Sequence, residues 1–124
     1  RVVQTLEGFG EGLGLPLRPP WDRRIYLASA ANLLDIIHET GPETGTLMLA
    51  GHNPGLEDLI LDLVADDGTS PLREQVEVKF PTASLARLIW EGDDWASLGS
   101  KSGARLDVLI RPRDVDASLG PDFD

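Results

Sequence analysis

A chain of 124 residues with a 41% apolar share falls within the size of one domain and can bury a sizeable core. Its 21 acidic and 11 basic residues give a formal charge of −10, which argues against nucleic acid and anionic membranes as partners but permits a small phosphorylated group in a locally positive pocket. The absence of cysteine excludes disulfides and thiolate chemistry and is compatible with a reducing cytoplasm, and no apolar stretch reaches the roughly 20 residues that would cross a bilayer.

The chain opens at Arg1, without an initiator methionine, inside a predicted helix. Apolar residues recur at helical spacing at Val2, Leu6, Phe9 and Leu13. We therefore expect further sequence upstream of Arg1. Glycine at every second position from 8 to 14 predicts an early end to this helix, and the proline-rich stretch that follows predicts an extended, ordered connection.

The next two segments predict a helix followed by a buried strand. Ser29 stands at an N-cap position, and the apolar residues after it form one helical stripe up to Gly41. Residues 46–50, Thr-Leu-Met-Leu-Ala, form a short unbroken apolar run between two glycines. Such a run is typical of a central strand that is covered on both faces, so we predict a buried parallel strand here.

A further helix is predicted to begin at Pro54, and its periodicity is the clearest in the chain. Proline suits the first helical position because its missing N–H would have no partner there. One face of the predicted helix is apolar and the other is acidic. The apolar residues are Leu56, Leu59, Ile60, Leu63 and Val64, and the acidic ones are Glu57, Asp58 and Asp62.

The second half of the chain predicts a β-hairpin and leaves one segment open. Residues 72–79 are ambiguous, because Val76 and Val78 alternate with charges as in a short edge strand. Residues 85–90 and 105–111 predict two strands that pair as a hairpin. The last residues, 115–124, are polar and acidic and predict a flexible tail.

The sharpest signal for chemistry is Gly-His-Asn-Pro-Gly at residues 51–55. It places His52 after a predicted strand and before a predicted helix, which is where open α/β sheets bind ligands. The free N–H groups at the start of that helix suit an anion, and His52 would face a phosphate as a hydrogen-bond donor or a proton carrier. Taken alone, the same pattern also fits a polar residue at a strand end with Asn53 as the helix N-cap.

The order of the segments resembles the histidine phosphatase superfamily, and within it the phosphohistidine phosphatases of the SixA type. Three stretches carry the resemblance: Arg-Val-Val-Gln-Thr at residues 1–5, a tyrosine followed by a Ser-capped helix in residues 26–37, and the Gly-His-Asn-Pro element with its helix in residues 49–59. The similarity runs from Arg1 to about Asp114.

This resemblance implies an α/β fold of three layers, α/β/α, with a mostly parallel sheet, like that of phosphoglycerate mutase. Residues 1–114 would be the C-terminal part of one domain, whose first strand, first helix and second strand precede Arg1. The family implies a cytoplasmic phosphatase that works without a cofactor through a covalent phosphohistidine on an upstream histidine. Its expected partner is a phosphorylated protein or a small phosphorylated substrate.

The resemblance also implies roles for particular residues. Arg1 and His52 would be catalytic and would bind the phosphoryl group, and the backbone N–H of Asn53 would contact it as well. His38 is not expected to be the nucleophile, because it lies in a predicted helix. No proton donor is assigned, although Asp22 and Glu7 are nearest by position.

Other interpretations stay open at the level of sequence. The protein could bind phosphorylated partners without turning them over, or it could act on small phosphorylated metabolites. It could also be an unrelated small α/β interaction domain, in which case Arg1 and His52 would lie far apart. Two histidines without cysteine, and without His-x-x-x-His spacing, predict no metal site.

Overall fold

The computed structural model describes residues 22–26 and 28–119, and these form four α-helices and one β-hairpin. The helices are α1 (Ala30–His38), α2 (Gly55–Leu63), α3 (Pro71–Val78) and α4 (Pro112–Val115), and the strands are β1 (Leu85–Ile89) and β2 (Arg105–Ile110). Single 3-10 turns occur at Arg23–Ile25, Trp95–Ser97 and Ala117–Leu119. None of the described helices is long and apolar enough to cross a bilayer.

The predicted three-layer fold with a mostly parallel sheet is wrong for the described residues. Their sheet has two strands, β1 and β2, which are antiparallel. The parallel pairing found there is an isolated bridge between Val64 and Ala104. The predicted hairpin is confirmed, with Leu85 opposite Ile110 and Ile89 opposite Arg105, and with a shift in register between Arg87 and Leu88.

Residues 46–50, which we predicted as a buried parallel strand, form no strand. Their apolar side chains are nevertheless used, because Leu47 and Leu49 pack against a buried cluster to which α1 and α2 contribute. Met48 points largely to solvent, at 48% exposure. Apolar side chains can be buried without strand pairing, whereas a strand also needs a hydrogen-bonding partner. No described strand pairs with this run.

Two of the predicted helices are confirmed. Helix α1 begins after Ser29, whose Oγ accepts a hydrogen bond from the N–H of Asn32 at 3.3 Å. Helix α2 follows Pro54 and buries Leu59, Ile60 and Leu63 along one side, as the periodicity predicts.

The ambiguous segment 72–79 lies in a helix, α3. Ser70 caps it by accepting a hydrogen bond from the N–H of Arg73 at 3.2 Å, and Pro71 occupies the first helical position. Val76 is fully buried while Val78 is 88% exposed. Residues two positions apart lie on roughly opposite sides of a helix. The alternation of valine and charge that suggests a strand therefore reflects a helix with one buried face.

Helix α2 is the centre of the core because both of its apolar sides are covered. On one side it packs with α1, and on the other with α3, which in turn packs on β2. The buried residues of the first cluster are Ala28, Leu33, Ile37, Leu59, Leu63, Leu98 and Ala104, and those of the second are Ile60, Val64, Val76, Phe80 and Leu106. This packing holds the loop before α2 against Ile25 and Ala28.

The predicted helix at the start of the chain lies outside the described residues. Part of the predicted tail is described: Val115 ends α4, and the turn Ala117–Leu119 follows. The flexibility of residues 115–124 stays a prediction, and so does the domain boundary at 114.

Candidate functional site

The loop at residues 51–55 is packed closely on the segment before α1, and its glycines permit this. A Cβ on Gly55 would lie 2.2 Å from the carbonyl oxygen of Ala28, and one on Gly51 would lie 3.1 Å from Cγ2 of Ile25. The Asn53–Pro54 peptide bond is cis. The backbone on both sides of His52 is therefore fixed against the same short segment, which carries Tyr26.

The His52 ring is half-buried and meets the Tyr26 ring edge to face. The ring centroids are 5.9 Å apart and the planes are at 89°, which is a favourable aromatic geometry. Tyr26 itself is 71% exposed, so the pair lies at the surface. The carbonyl of His52 accepts a hydrogen bond from the N–H of Leu56 at 3.2 Å, which ties the residue to the first turn of α2. His52 is thus oriented, and a solute can reach the aromatic pair of which it is part.

Asn53 does not cap α2 through its side chain, contrary to the simplest interpretation of the sequence. The N-cap residue is Pro54, and no side chain caps the helix there. Instead, Nδ2 of Asn53 donates to the carbonyl oxygen of Phe80 at 2.5 Å. Oδ1 of Asn53 is buried without a hydrogen-bond partner. The Asn53 side chain therefore connects this loop to the chain that leads into β1.

The start of α2 has the polarity that an anion requires, although acidic residues partly offset it. The helix has nine residues and no side-chain cap at its amino end, where the dipole is positive. Glu57 and Asp58 lie in its first turn. Their carboxylates favour the helix by the same dipole effect, and they reduce the local positive potential that a phosphate would meet. A further cation would strengthen phosphate binding at this position.

Arg1, the cation that we expect to supply this charge, lies outside the described residues. Its convergence with His52 on one phosphoryl group therefore stays a prediction. His52 and Asn53 lie in the described loop, and their contacts to Tyr26 and Phe80 are those given above.

His38 makes a structural hydrogen bond, which agrees with the prediction that it is not the nucleophile. Its Nε2 lies 2.6 Å from the carbonyl oxygen of Leu98, and because a carbonyl can only accept, Nε2 donates. The ring thereby ties the end of α1 to the turn before β2. A ring nitrogen engaged in this way is not free to attack phosphorus.

Asp22, one of the two positional candidates for a proton donor, is held as a carboxylate. Side-chain and backbone hydrogen bonds from Arg24 lower the pKa of Asp22. The Arg24 guanidinium also donates a hydrogen bond to Glu39. An acid whose pKa lies below its usual range is ionised at neutral pH and has no proton to give. Asp22 is therefore a poor proton donor, and Glu7 lies outside the described residues.

Tyr26 is the site residue that the sequence reasoning missed as a functional candidate. Its ring is largely exposed and yet contacts His52 across a separation of 26 positions in the chain. Aromatic residues are usually explained by packing, and no local pattern links this one to the histidine. Among the described residues, no group of histidine and acidic side chains is arranged to hold a metal ion.

Comparison with known proteins gives relatives without an assigned activity. The chain is 31% identical, over 99 residues, to two uncharacterized proteins of Mycobacterium tuberculosis, one from strain CDC 1551 / Oshkosh and one from strain H37Rv. The match covers 79% of this chain and 60% of the length of each relative. No protein-family model matches the chain, and no solved structure matches it either.

Proposed function

We propose that this chain supplies part of a cytoplasmic phosphatase site that removes the phosphoryl group from phosphohistidine of a signalling or phosphotransfer protein. The observation that carries the proposal is the position of His52, an oriented and accessible imidazole one turn before the uncapped start of α2. The sequence segments whose order along the chain resembles that of SixA-type phosphatases support it. The proposal rests on this loop and does not require a parallel sheet.

The proposed reaction has two steps. The P–N bond of the substrate phosphohistidine breaks while a new P–N bond forms to an upstream histidine that is not in this chain, and the substrate imidazole leaves. Water then attacks phosphorus, which releases inorganic phosphate and restores the histidine. The role of His52 is to donate a hydrogen bond to the oxygens on which negative charge develops in both steps. Arg1 would hold two of those oxygens through its planar guanidinium, and the backbone N–H of Asn53 would contact a third.

The exposure of the site favours a protein substrate over a small metabolite. The Tyr26 ring is 71% exposed, and His52 beside it is half-buried. A site at the surface admits a phosphohistidine that protrudes from another protein. A small metabolite gains most from a pocket that encloses it.

Replacement of His52 in the full-length protein tests the proposal. We expect His52→Ala to lower kcat/KM toward a phosphohistidine protein by about 10²–10³-fold, which is the usual effect of removing one donor to a developing oxyanion. His38→Gln is the matched control, because glutamine can still donate to the Leu98 carbonyl, and it should leave kcat/KM nearly unchanged. Equal activity of His52→Ala and the unsubstituted protein would refute the role of His52. Tight binding of the phosphoprotein without any turnover in the unsubstituted protein would instead identify an inactive phosphate-binding relative.

A further inference from the structure

A cleft that shares no residue with the His52–Tyr26 site lies between the loop after α1 and the turn after β1. It has a volume of about 260 Å³. Two indole rings and two carboxylates dominate its lining. The residues that matter here are Pro42, Thr44, Trp90, Asp93, Asp94 and Trp95.

Hydrogen bonds and close packing fix the shape of this cleft. The indole Nε1–H of Trp95 donates to the carbonyl oxygen of Thr44 at 2.7 Å and so joins the two walls. Asp94 caps the turn Trp95–Ser97 by accepting from the N–H of Ala96 at 3.1 Å. Trp90 and Trp95 have ring centroids 6.0 Å apart at a tilt of 48°. The two aromatic rings are therefore held in place before any ligand arrives.

The charge in the cleft has one sign. Its lining includes Asp93 and Asp94 and no basic residue. Asp94 is already engaged with a backbone N–H, whereas the Asp93 carboxylate has no hydrogen-bond or ion-pair partner within the described part of the chain. Indole faces attract cations through their quadrupole, and carboxylates attract them by charge. Both features repel an anion such as phosphate.

We propose that this cleft binds an organic ammonium group, with the indoles of Trp90 and Trp95 against its alkyl substituents and the Asp93 carboxylate opposite its charge. Charge complementarity and the paired indoles select this ligand class over a neutral apolar molecule. The function is separate from phosphoryl transfer, so the proposal stands or falls independently of His52.

Titration with choline and with its uncharged isostere, 3,3-dimethyl-1-butanol, tests the proposal directly. The indole N–H signals of the chain, which has three tryptophans, are followed by NMR at constant ionic strength and are assigned with single Trp→Phe variants. We expect choline to shift the signals of Trp90 and Trp95 saturably. The isostere has the same shape without the charge and should produce no saturable shift. Equal shifts with both compounds, or none with choline, would overturn the proposal.

Two matched variants separate the local carboxylate from the general acidity of the protein. Asp93→Asn keeps the shape and removes the charge, and we expect it to weaken choline binding about tenfold. Glu91→Gln removes one negative charge from the same turn but outside the cleft, and it should change binding by less than about twofold. Equal weakening by the two variants would show that only net charge matters, and the site as proposed would be wrong.

Discussion

At the scale of single residues, His52 and Asn53 are neighbours in the chain with contacts in different parts of the molecule. The His52 ring meets an exposed tyrosine, while the Asn53 amide donates to a carbonyl of Phe80, a residue that is only 5% exposed. The first arrangement places a half-buried imidazole beside an exposed ring, and the second fixes the backbone that carries it. We therefore assign Asn53 a positioning role in addition to the predicted contact of its backbone N–H.

Replacement of Asn53 by alanine should destabilise the protein by about 1–2 kcal/mol. The change leaves the Phe80 carbonyl without its donor, and the cost is moderated because Oδ1 of Asn53 is itself unsatisfied. Urea unfolding measures this loss of stability. The slope of the free energy of unfolding against urea concentration should stay unchanged. Asn32→Ala is the control, since Asn32 is an exposed residue of α1 and alanine favours a helix. A loss in Asn32→Ala as large as that in Asn53→Ala would contradict this assignment.

The sequence predicts part of this residue-scale arrangement. Gly-His-Asn-Pro-Gly correctly locates a histidine at the amino end of a helix, because proline and glycine act on the local backbone. The partners of His52 and Asn53 lie 26 and 27 positions away. Contacts at such distances depend on how helices pack, and a single sequence gives no signal for them.

At the scale of elements, α2 is held at both ends by contacts with its neighbours. At its amino end Gly55 lies against the carbonyl of Ala28, so that α2 approaches the segment before α1 without an intervening side chain. At its carboxyl end the side chain of Arg73 from α3 donates to the carbonyls of Leu61 at 2.9 Å and Val64 at 2.7 Å. These two contacts set the position of α2 and hence that of the loop before it.

Substitution of Gly55 by alanine should be destabilising although alanine favours a helix. A Cβ at this position would lie 2.2 Å from the carbonyl oxygen of Ala28, and the clash should cost about 1–3 kcal/mol. Gly45→Ala is the matched control, because nothing lies within 4 Å of a Cβ there, and it should leave stability unchanged or raise it by at most about 1 kcal/mol. Thermal unfolding compares the two. Equal stability of both variants would mean that α2 does not pack as described.

Substitution of Arg73 by methionine should cost about 2–4 kcal/mol. Arg73 is 9% exposed, and methionine leaves the Leu61 and Val64 carbonyls at the end of α2 without donors and Glu77 without its ion pair. Arg73→Lys should recover part of the lost stability, because lysine keeps the positive charge but lacks the planar set of N–H donors of the guanidinium group. The control Arg87→Met removes an exposed pair with Asp107 and should shift the urea midpoint far less. A similar shift for Arg73→Met and Arg87→Met would contradict the capping role.

Helices α1 and α2 and the hairpin could be predicted, whereas the predicted parallel strand at residues 46–50 is wrong and the residues of α3 are ambiguous in sequence. Helix α1 follows from the Ser29 cap and α2 from the proline before it, and each has a periodic apolar stripe within about ten residues. The hairpin was also predictable, because its strands are close in sequence. Residues 46–50 have the composition of a strand, but a strand forms only beside a partner, and the choice of partner is a property of the whole fold.

At the scale of the whole molecule, the chain has a formal charge of −10, and several of its arginines form ion pairs with particular acidic residues. Arg24 lies between Asp22 and Glu39, and Arg87 bonds Asp107 at 2.7 Å across the hairpin. Such pairs restrict the repulsion that a strongly acidic chain experiences when it becomes compact. They also make the stability of the protein depend on the ionisation of those acids.

Stability should fall when the pH is lowered below about 4. Side-chain hydrogen bonds, from arginine or from a hydroxyl, lower the pKa of six acids: Asp22, Glu39, Asp67, Asp107, Asp114 and Asp116. A carboxyl whose pKa is lower in the folded state stabilises fully above its unfolded pKa, and this contribution is lost as the pH falls through the folded value. Urea midpoints at 0.15 M salt, which screens the general repulsion, should be flat from pH 6 to 8 and should decrease from about pH 4 to 2. A midpoint that rises on acidification below pH 4 would contradict the pairing.

The most direct measurement of the central claim follows the two imidazoles of the chain, His38 and His52, by NMR while inorganic phosphate is added. His38 is an internal control, because its ring is bound to the Leu98 carbonyl. We predict that the His52 signals shift saturably and that those of His38 stay in place. No shift of His52, or an equal shift of both histidines, would contradict the assignment of His52 to a phosphoryl group.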